Sequence, residues 1–442
     1  MSVSRAWARG RDEYIRQRVL DEVLPQDCRM ACSQGLLEIH SLHRYFDREL
    51  LCPPVESFCN GNAAPGLGPL QWTGQLLRWF DIANSLCLPN FDTDFSQAFP
   101  GLCEAEMQVL LRSVFDHLDA ARPGATLLHV NLGASVDQGA ASCAHALLDL
   151  LDEGATRTNP FVVLRIREGV NLHPHEPLFS ITQKALDLSR RRQGIAFGLM
   201  DSGMNREWLE FVAYAGDGLR MEPLHGDLFR GVRGTSVNGI VTLNVPPSHE
   251  ADWPKIERSL HLAGRVLAQK LELMEDGKTG RVIPGTSVIN ISGLSFDTGA
   301  SKLASFDLLE KIDARVAQMG LDFGLPMTVA IVESLDGAAG QPYVSSGLSL
   351  AAELQHKLRG GHSLVIPTGS HMSWQDLHLS LCAAQAAGLS FLRFSPEDVR
   401  CGSCHLAVAA AGPCPACAYE GRRRVDFVEG RLQSLVTGEP IV

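Results

Sequence analysis

Apolar positions along this 442-residue chain follow two periods in turn. Apolar residues recurring every three to four positions predict helices over 70–90, 104–121, 139–152, 178–193, 254–275, 305–318, 349–358 and 373–387. Short, continuous apolar runs lie between them and predict buried strands. These are TLLHVNLG (126–133), FVVLRIR (161–167), NGIVTLNVP (238–246), TSVINISGLS (286–295), PMTVAIVES (326–334), HSLVIP (362–367) and LSFLRF (389–394). Residues 1–50 read as helical around Ile15, Val19 and Val23, whereas the Pro- and Gly-rich stretches 50–69 and 169–177 read as loops. Strands alternating with helices indicate an α/β fold with largely parallel strands. At least six such units follow one another without an interdomain linker, which fits a single barrel or a large wound sheet. The pattern stops after Glu397, so the C-terminal segment is expected to be a separate small module.

Composition narrows this picture. With 45% hydrophobic and 20% charged residues the chain can bury a large core. Its net charge of -11 gives no global field that would steer it toward nucleic acid. The two dense basic runs, Arg190 to Arg192 and Arg422 to Arg424, read as solvated faces. The N-terminus carries charges throughout, with no apolar signal core, and no uncharged apolar run reaches eighteen residues. The expectation is a cytoplasmic protein with no membrane partner. Its twelve cysteines are then reduced, and serve metal ligation or catalysis more readily than disulfides.

The strongest chemical signal is CGSCHLAVAAAGPCPACAYEG. Its two Cys-x-x-Cys pairs, Cys401 with Cys404 and Cys414 with Cys417, are spaced as two knuckles converging on one tetrahedral centre. Gly402, Gly412, Pro413 and Pro415 supply the turns. Four thiolates leave no open position, so the expected cofactor is a structural Zn ion that stabilises folding. An iron–sulfur centre and a pair of redox dithiols are the alternatives.

Several stretches, in order, carry a resemblance to a known family. They are FVVLRIREGVNLHPHEPLFSITQKALDLSRRR (161–192), GVRGTSVNGIVTLNVP (231–246), VINISGLS (288–295), VAIVESLDG (329–337), LRGGHSLVIP (358–367) and FLRFSPEDVRCGSCHLAVAAAGPCPAC (391–417). From about residue 60 onward the chain resembles the large subunit of class III anaerobic ribonucleoside-triphosphate reductases, which are glycyl-radical enzymes. The resemblance implies a ten-stranded α/β barrel built from two antiparallel five-stranded halves, followed by a zinc ribbon and a loop bearing the radical glycine. Four segments follow: an N-terminal helical segment (1–50), the barrel (51–397), the four-cysteine zinc ribbon (398–421) and a tail matching the radical loop (422–442). The residues preceding the first match are too few for the regulatory ATP-cone domain that the family usually carries there.

Family chemistry needs a cysteine that becomes a thiyl radical and a glycine that stores the radical. The family's thiyl loop reads M-G-C-R; here GDGLRMEP places Leu219 at the cysteine position, followed by Arg220, and no cysteine lies between Cys143 and Cys382. In RRRVDFVEGRL, Phe427 stands at the radical-glycine position, with Gly430 three residues on. The resemblance puts Arg220 and Glu333 at the active centre as catalytic candidates. Asn171, Asn244, Asn290 and Ser334 are ligand-binding candidates; the amides of Asn244 and Asn290, polar groups in apolar strands, bond either a ligand or neighbouring backbone groups, and Asn171 either a ligand or its own surroundings by packing and hydrogen bonding. Ala330 stands near a family threonine that helps hold phosphate. Asn238 is a further polar residue in an apolar strand. Cys52 and Cys59 read as structural or as a redox pair, and His173 and His175 as packing residues or metal ligands. Three functions remain open. The first is a divergent family member without radical chemistry that binds a nucleotide or similar small molecule, as a homodimer or beside a partner enzyme. The second is an enzyme with new, non-radical chemistry in the same pocket. The third is anaerobic ribonucleotide reduction itself.

Overall fold

The computed structural model describes residues 3–54, 69–121, 127–133, 135–154, 160–192, 194–208, 211–216, 218–223, 231–246, 252–275, 283–294, 299–332, 348–362, 365–368, 372–396, 398–401, 422–428 and 431–434. Ten strands form one continuous path: β1 (Arg48–Leu51), β2 (Ala83–Leu88), β3 (Leu127–Leu132), β4 (Phe161–Ile166), β5 (Ile195–Leu199), β6 (Ser236–Asn244), β7 (Gly285–Ser292), β8 (Met327–Ala330), β9 (Val365–Thr368) and β10 (Phe391–Pro396). Their spatial order is β8-β7-β6-β1-β2-β3-β4-β5-β10-β9. Strands β1 to β5 are mutually parallel. They run antiparallel to β6 on one side and to β10 on the other. β6, β7 and β8 are parallel to one another, as are β9 and β10. Residues 360–362, which lead into β9, return to β8: Gly360 N donates to Val329 O (3.0 Å) and Ile331 N to Gly361 O (3.1 Å). These bonds join residues 360–362 to the β8 end of the sheet.

The pleat decides which side chains face where. In β7, Ile289 and Ile291 pack outward with Leu260, Val266, Ile312 and Val316 from the helices Trp253–Glu275 and Gly299–Phe323. Val288 belongs instead to an inner cluster with Leu50, Cys52, Cys87, Val237, Ile240 and Ala330. On the other half, Leu86, Leu128, Leu164 and Phe197 pack outward against helices Glu104–Ala121, Gln138–Asp152 and Phe179–Arg191. Both faces are covered, as expected of continuous apolar strands.

Helix 104–121 and the strands at 127–132, 161–166, 236–244 and 285–292 follow the apolar pattern closely. Other elements depart from it. The expected helix over 70–90 ends at Phe80, and Ala83–Leu88 is strand β2. The sequence there has no Gly or Pro to mark the break, and pairing with β1 and β3 overrides the local pattern. Residues 1–50 are helical only in part: helices Val3–Arg18 and Gln26–Ser33 give way to a strand, Leu37–Ile39, paired antiparallel with β6, and then to β1. β1 escapes the apolar pattern because it begins with two charges, Arg48 and Glu49. Both are buried, and Glu49 Oε1 accepts from Lys270 Nζ at 2.6 Å. β5 (IAFGL) and the helix Phe91–Ala98 lie outside the elements that the apolar pattern predicts.

After β10, Asp398–Cys401, Arg422–Val428 and Arg431–Ser434 form a three-stranded antiparallel sheet. The basic run at 190–192 lies on a helix end, where Arg190 and Arg191 pair with Asp187 and Asp152. Among the described residues, no helix is long and apolar enough to cross a membrane.

Candidate functional site inside and at the mouth of the barrel

Between β5 and β6 the chain leaves the wall and forms a short hairpin, Ala213–Tyr214 antiparallel to Arg220–Met221. Polar groups on the inner face of β3 hold it. Tyr214 N donates to Asn131 Oδ1 (2.9 Å), and Asn131 Nδ2 donates back to Tyr214 O (2.9 Å). Gly216 N donates to His129 Nδ1 (3.1 Å). The Tyr214 ring stacks on Phe391 with centroids 5.2 Å apart, and its hydroxyl donates to Asn205 Oδ1. On its other edge the hairpin meets residues 360–361: Arg220 N donates to Gly360 O (2.8 Å). Two glycines permit this approach. Gly218 has φ +95° and Gly361 φ +106°, and a Cβ on Gly361 would lie 2.1 Å from Gly218 O.

Leu219 follows the turn and is fully buried, in one cluster with Cys52, Cys87, Met221, Val237, Val288 and Ala330. Cys52 Sγ lies 3.5 Å from Met221 Sδ. Burial foremost, and then a hydrogen bond with Cys87, push the Cys52 thiol well above its ordinary value, which keeps it protonated and unreactive. The neighbour of Cys52 is therefore Cys87 on the adjacent strand, while Cys59 lies outside the described residues.

Two buried histidines flank the hairpin turn. His129, on β3, accepts at Nδ1, so its proton sits on Nε2, which finds no partner among the described residues. His362 sits next to Gly361; it keeps a hydrogen bond to the Phe391 backbone, and its Nε2 is likewise unpartnered among them. Burial pulls both imidazoles down to about 4. At neutral pH both are uncharged.

One residue beyond Leu219 the environment changes. The Arg220 guanidinium donates to Glu222 Oε2 (2.7 Å), Met204 O (2.8 Å) and Asn205 Oδ1 (3.3 Å). With Arg359, Thr235, Ser236, Thr286 and Thr328 it lines a cleft of about 50 Å³ where β6, β7 and β8 begin. A water needs at least about 10–15 Å³ of such space. The cleft therefore admits a phosphate-sized group but is far below the roughly 300–1,000 Å³ of a drug-sized pocket. The Thr235 and Ser236 hydroxyls donate to Val232 O and Asn238 Oδ1, which leaves those of Thr286 and Thr328. Two guanidiniums against one carboxylate, with these two hydroxyls, suit an anion.

The ends of β2 and β4 hold more buried charge. Burial raises the Asp92 carboxyl to about 6, against hydrogen bonds from Gly133 N and Thr93 N that pull it down. Arg165 donates to Asn90 Oδ1 and Val212 O, and Arg233 pairs with Asp94 at 2.5 Å.

The remaining candidates do not gather at the hairpin. Asn171 is buried in the loop after β4, where it accepts from Arg167 N and donates to Arg165 O. Asn290 donates to Thr242 Oγ1 and Val332 O and accepts from Val332 N, tying β7 to the end of β8. Asn244 donates to Gly35 O at the far end of β6. Asn238 is buried beside Ser236, whose hydroxyl donates to it. Glu333, Ser334, Gly430, Cys404, Cys414 and Cys417 lie outside the described residues. Cys401 closes its strand opposite Arg422, and Phe427 pairs with Leu432. Sequence reasoning missed His129, Asn131, His362, Cys87 and Arg359. The first two left a signal, since LLHVNL places polar residues two apart inside an apolar run, on one face of the strand.

No family model matches the sequence, and no curated protein matches it. Solved structures do. The anaerobic ribonucleotide reductase of Thermotoga maritima, with glycerol in its active site, superposes with a TM-score of 0.63 at 11% identity, covering 97% of this chain and 88% of that one. The same reductase is also known in complex with dATP and CTP. The class Id ribonucleotide reductase alpha subunit of Actinobacillus ureae gives 0.57 at 10% identity, over 88% of this chain and 92% of that one. Hydroxyproline dehydratase from Clostridioides difficile, with trans-4-hydroxy-L-proline bound, gives 0.52 at 11%, over 86% and 78%. At these identities the likeness is one of fold: the chain has the fold of anaerobic ribonucleotide reductases and of a glycyl-radical dehydratase.

Proposed function

We propose that this chain is a divergent relative of the anaerobic ribonucleotide reductases that keeps the closed ten-stranded barrel but not the radical chemistry, and that it binds a nucleotide or similar phosphorylated small molecule at the barrel mouth. The observation that carries the reading is Leu219. It occupies the position of the family's thiyl cysteine and is sealed in an apolar cluster. A side chain without an S–H cannot accept a hydrogen-abstracting radical. Phe427 at the radical-glycine position supports the same reading.

Binding rests on the cleft. Arg220 and Arg359 would hold a phosphate by charge-assisted hydrogen bonds, with the Thr286 and Thr328 hydroxyls beside them. The cleft takes the phosphate alone, so the nucleoside would extend out of it. That a structural relative binds dATP and CTP favours a nucleotide. The family resemblance puts Glu333 at the active centre and makes Ser334 a ligand-binding candidate.

One Zn ion would be held by Cys401, Cys404, Cys414 and Cys417. The strand ending at Cys401 runs antiparallel to the strand starting at Arg422, so both ends of the cysteine-bearing connection are pinned side by side. Four thiolates suit tetrahedral Zn and leave no position for catalysis. This metal supplies folding energy only.

The test is a thermal-shift and calorimetric screen with nucleoside mono-, di- and triphosphates. The reading expects stabilisation that grows with ligand concentration and weakens in Arg359→Ala. No shift with any nucleotide would sink it.

A further inference from the structure

Away from the barrel mouth, the loop after β4 packs against the helix Trp374–Ala386. His378 and Cys382 stand one turn apart on that helix, at the i, i+4 spacing that points two ligands at one centre. His173 comes from the loop. One donor atom from each of the three lies within 4.8 Å of the others, and each residue is half-buried. Cys382 Sγ is 3.4 Å from His378 Nε2, which is also 2.8 Å from Leu172 O.

The loop is built to hold His173 there. Glu176 accepts from Gly169 N (2.7 Å) and His173 N (2.9 Å), closing the loop on itself. Asn171 bonds the backbone on both sides of the same turn, and its carbonyl accepts from Thr182 Oγ1. The His175 ring lies parallel to His173 with centroids 5.7 Å apart. On the far side, Phe179 meets the His378 ring edge-on at 5.2 Å.

We infer that His173, His378 and Cys382 form a second metal site, selective for a divalent cation that favours imidazole and thiolate ligands, of which Zn²⁺ is the representative. One sulfur and two nitrogens are a borderline-soft set that excludes Mg²⁺ and Ca²⁺, which take oxygen ligands. Bonds of about 2.0–2.3 Å set the edges of a tetrahedron at roughly 3.3–3.8 Å; the Cys382–His378 edge is already 3.4 Å, and His173 needs to close in by at most about 1.5 Å. The His173 side chain, on a loop, can make that movement. Three protein ligands leave the fourth position to solvent. The site pins the 169–178 loop to the helix. It rests on none of the nucleotide-binding argument.

Cobalt substitution in the full chain tests it. The metal-stripped protein is titrated with Co²⁺, reading stoichiometry and the thiolate-to-cobalt charge-transfer band. Relative to wild type, His173→Ala/His378→Ala loses one equivalent, and a variant with all four ribbon cysteines changed to Ser keeps one. Cys382→Ser weakens that equivalent at least about tenfold and removes its charge-transfer band. Retention of the wild-type stoichiometry and affinity by the double histidine variant would overturn the assignment. So would loss of all binding in the ribbon variant while its circular-dichroism spectrum and melting stay cooperative. His173→Gln, a single change on the loop, serves if the double variant does not fold: unchanged affinity there would overturn the proposal as well.

Discussion

Inside the barrel the hairpin ends in a dry contact, with Leu219 enclosed by aliphatic and sulfur atoms and two neutral histidines beside the turn. At the mouth, one residue further, it carries a guanidinium surrounded by oxygen acceptors from Met204, Asn205, Glu222 and Arg359. The hairpin therefore has an inert end and a charged end. On the proposed reading, the inner end corresponds to the family's reacting sulfur; in this chain it is core. The outer end keeps fixed positive charge next to hydroxyls and room for a small anion. An apolar plug stabilises a fold, whereas a half-exposed cleft lined by two arginines adds little to it. The two ends should therefore answer differently to mutation.

The largest effect belongs to the inner end. Gly361→Ala puts a Cβ against Gly218 O at a positive φ, and strain together with overpacking should cost about 3–5 kcal/mol. Urea unfolding would read this as a lower midpoint; a loss below about 1 kcal/mol would mean that the hairpin is not clamped to residues 360–361. Leu219→Ala comes next. It should cost about 3 kcal/mol as a core truncation and leave nucleotide affinity unchanged; a neutral result would show that the interior is open.

The histidines give a pH signature of the dry end. His129 is neutral in the native state down to about 4, whereas in the unfolded chain it charges below its ordinary value of 6.5. The unfolded state binds the extra proton, so this contribution is complete above pH 6.5 and is lost as pH falls toward 4. A difference of that size is worth on the order of 3 kcal/mol. Asp92, raised to about 6, acts in the opposite direction between its ordinary value of 3.8 and 6. Comparing His129→Gln with wild type isolates the histidine: the variant should lose less stability between pH 6.5 and 4.5. Parallel curves would show that His129 is solvated. The smallest effect is at the mouth. Arg359 is exposed, so Arg359→Ala should change stability by less than about 0.5 kcal/mol while weakening phosphate binding about tenfold, or roughly 1.4 kcal/mol. The reverse outcome would invert the comparison.

How far the sequence foretold this depends on which force fixed each element. Most strands and helices of the wall were legible because their apolar periods differ and their faces are buried on both sides. β1 was hidden by its leading charges, Arg48 and Glu49; the burial of Glu49 makes sense only with Lys270, far along the chain, on a helix of the other half. β2 was hidden because pairing with its neighbours, not local pattern, makes it a strand. Leu219 and Arg220 were found through the family resemblance, and the structure supplied what surrounds them. Arg359 and His362 were illegible. They reach the hairpin through contacts between residues more than a hundred positions apart, carried on glycines whose φ values no composition reveals. The His378 and Cys382 pair was readable as a helical spacing, but only the fold brings His173 to it.

The absence of radical chemistry is the claim on which the rest depends, and electron paramagnetic resonance reads it directly. The full chain would be incubated anaerobically with a radical-SAM activase, S-adenosylmethionine and reductant, beside an active class III reductase in the same mixture as a positive control. The account predicts a glycyl-radical doublet in the control and none in this protein; a doublet from this protein would contradict it.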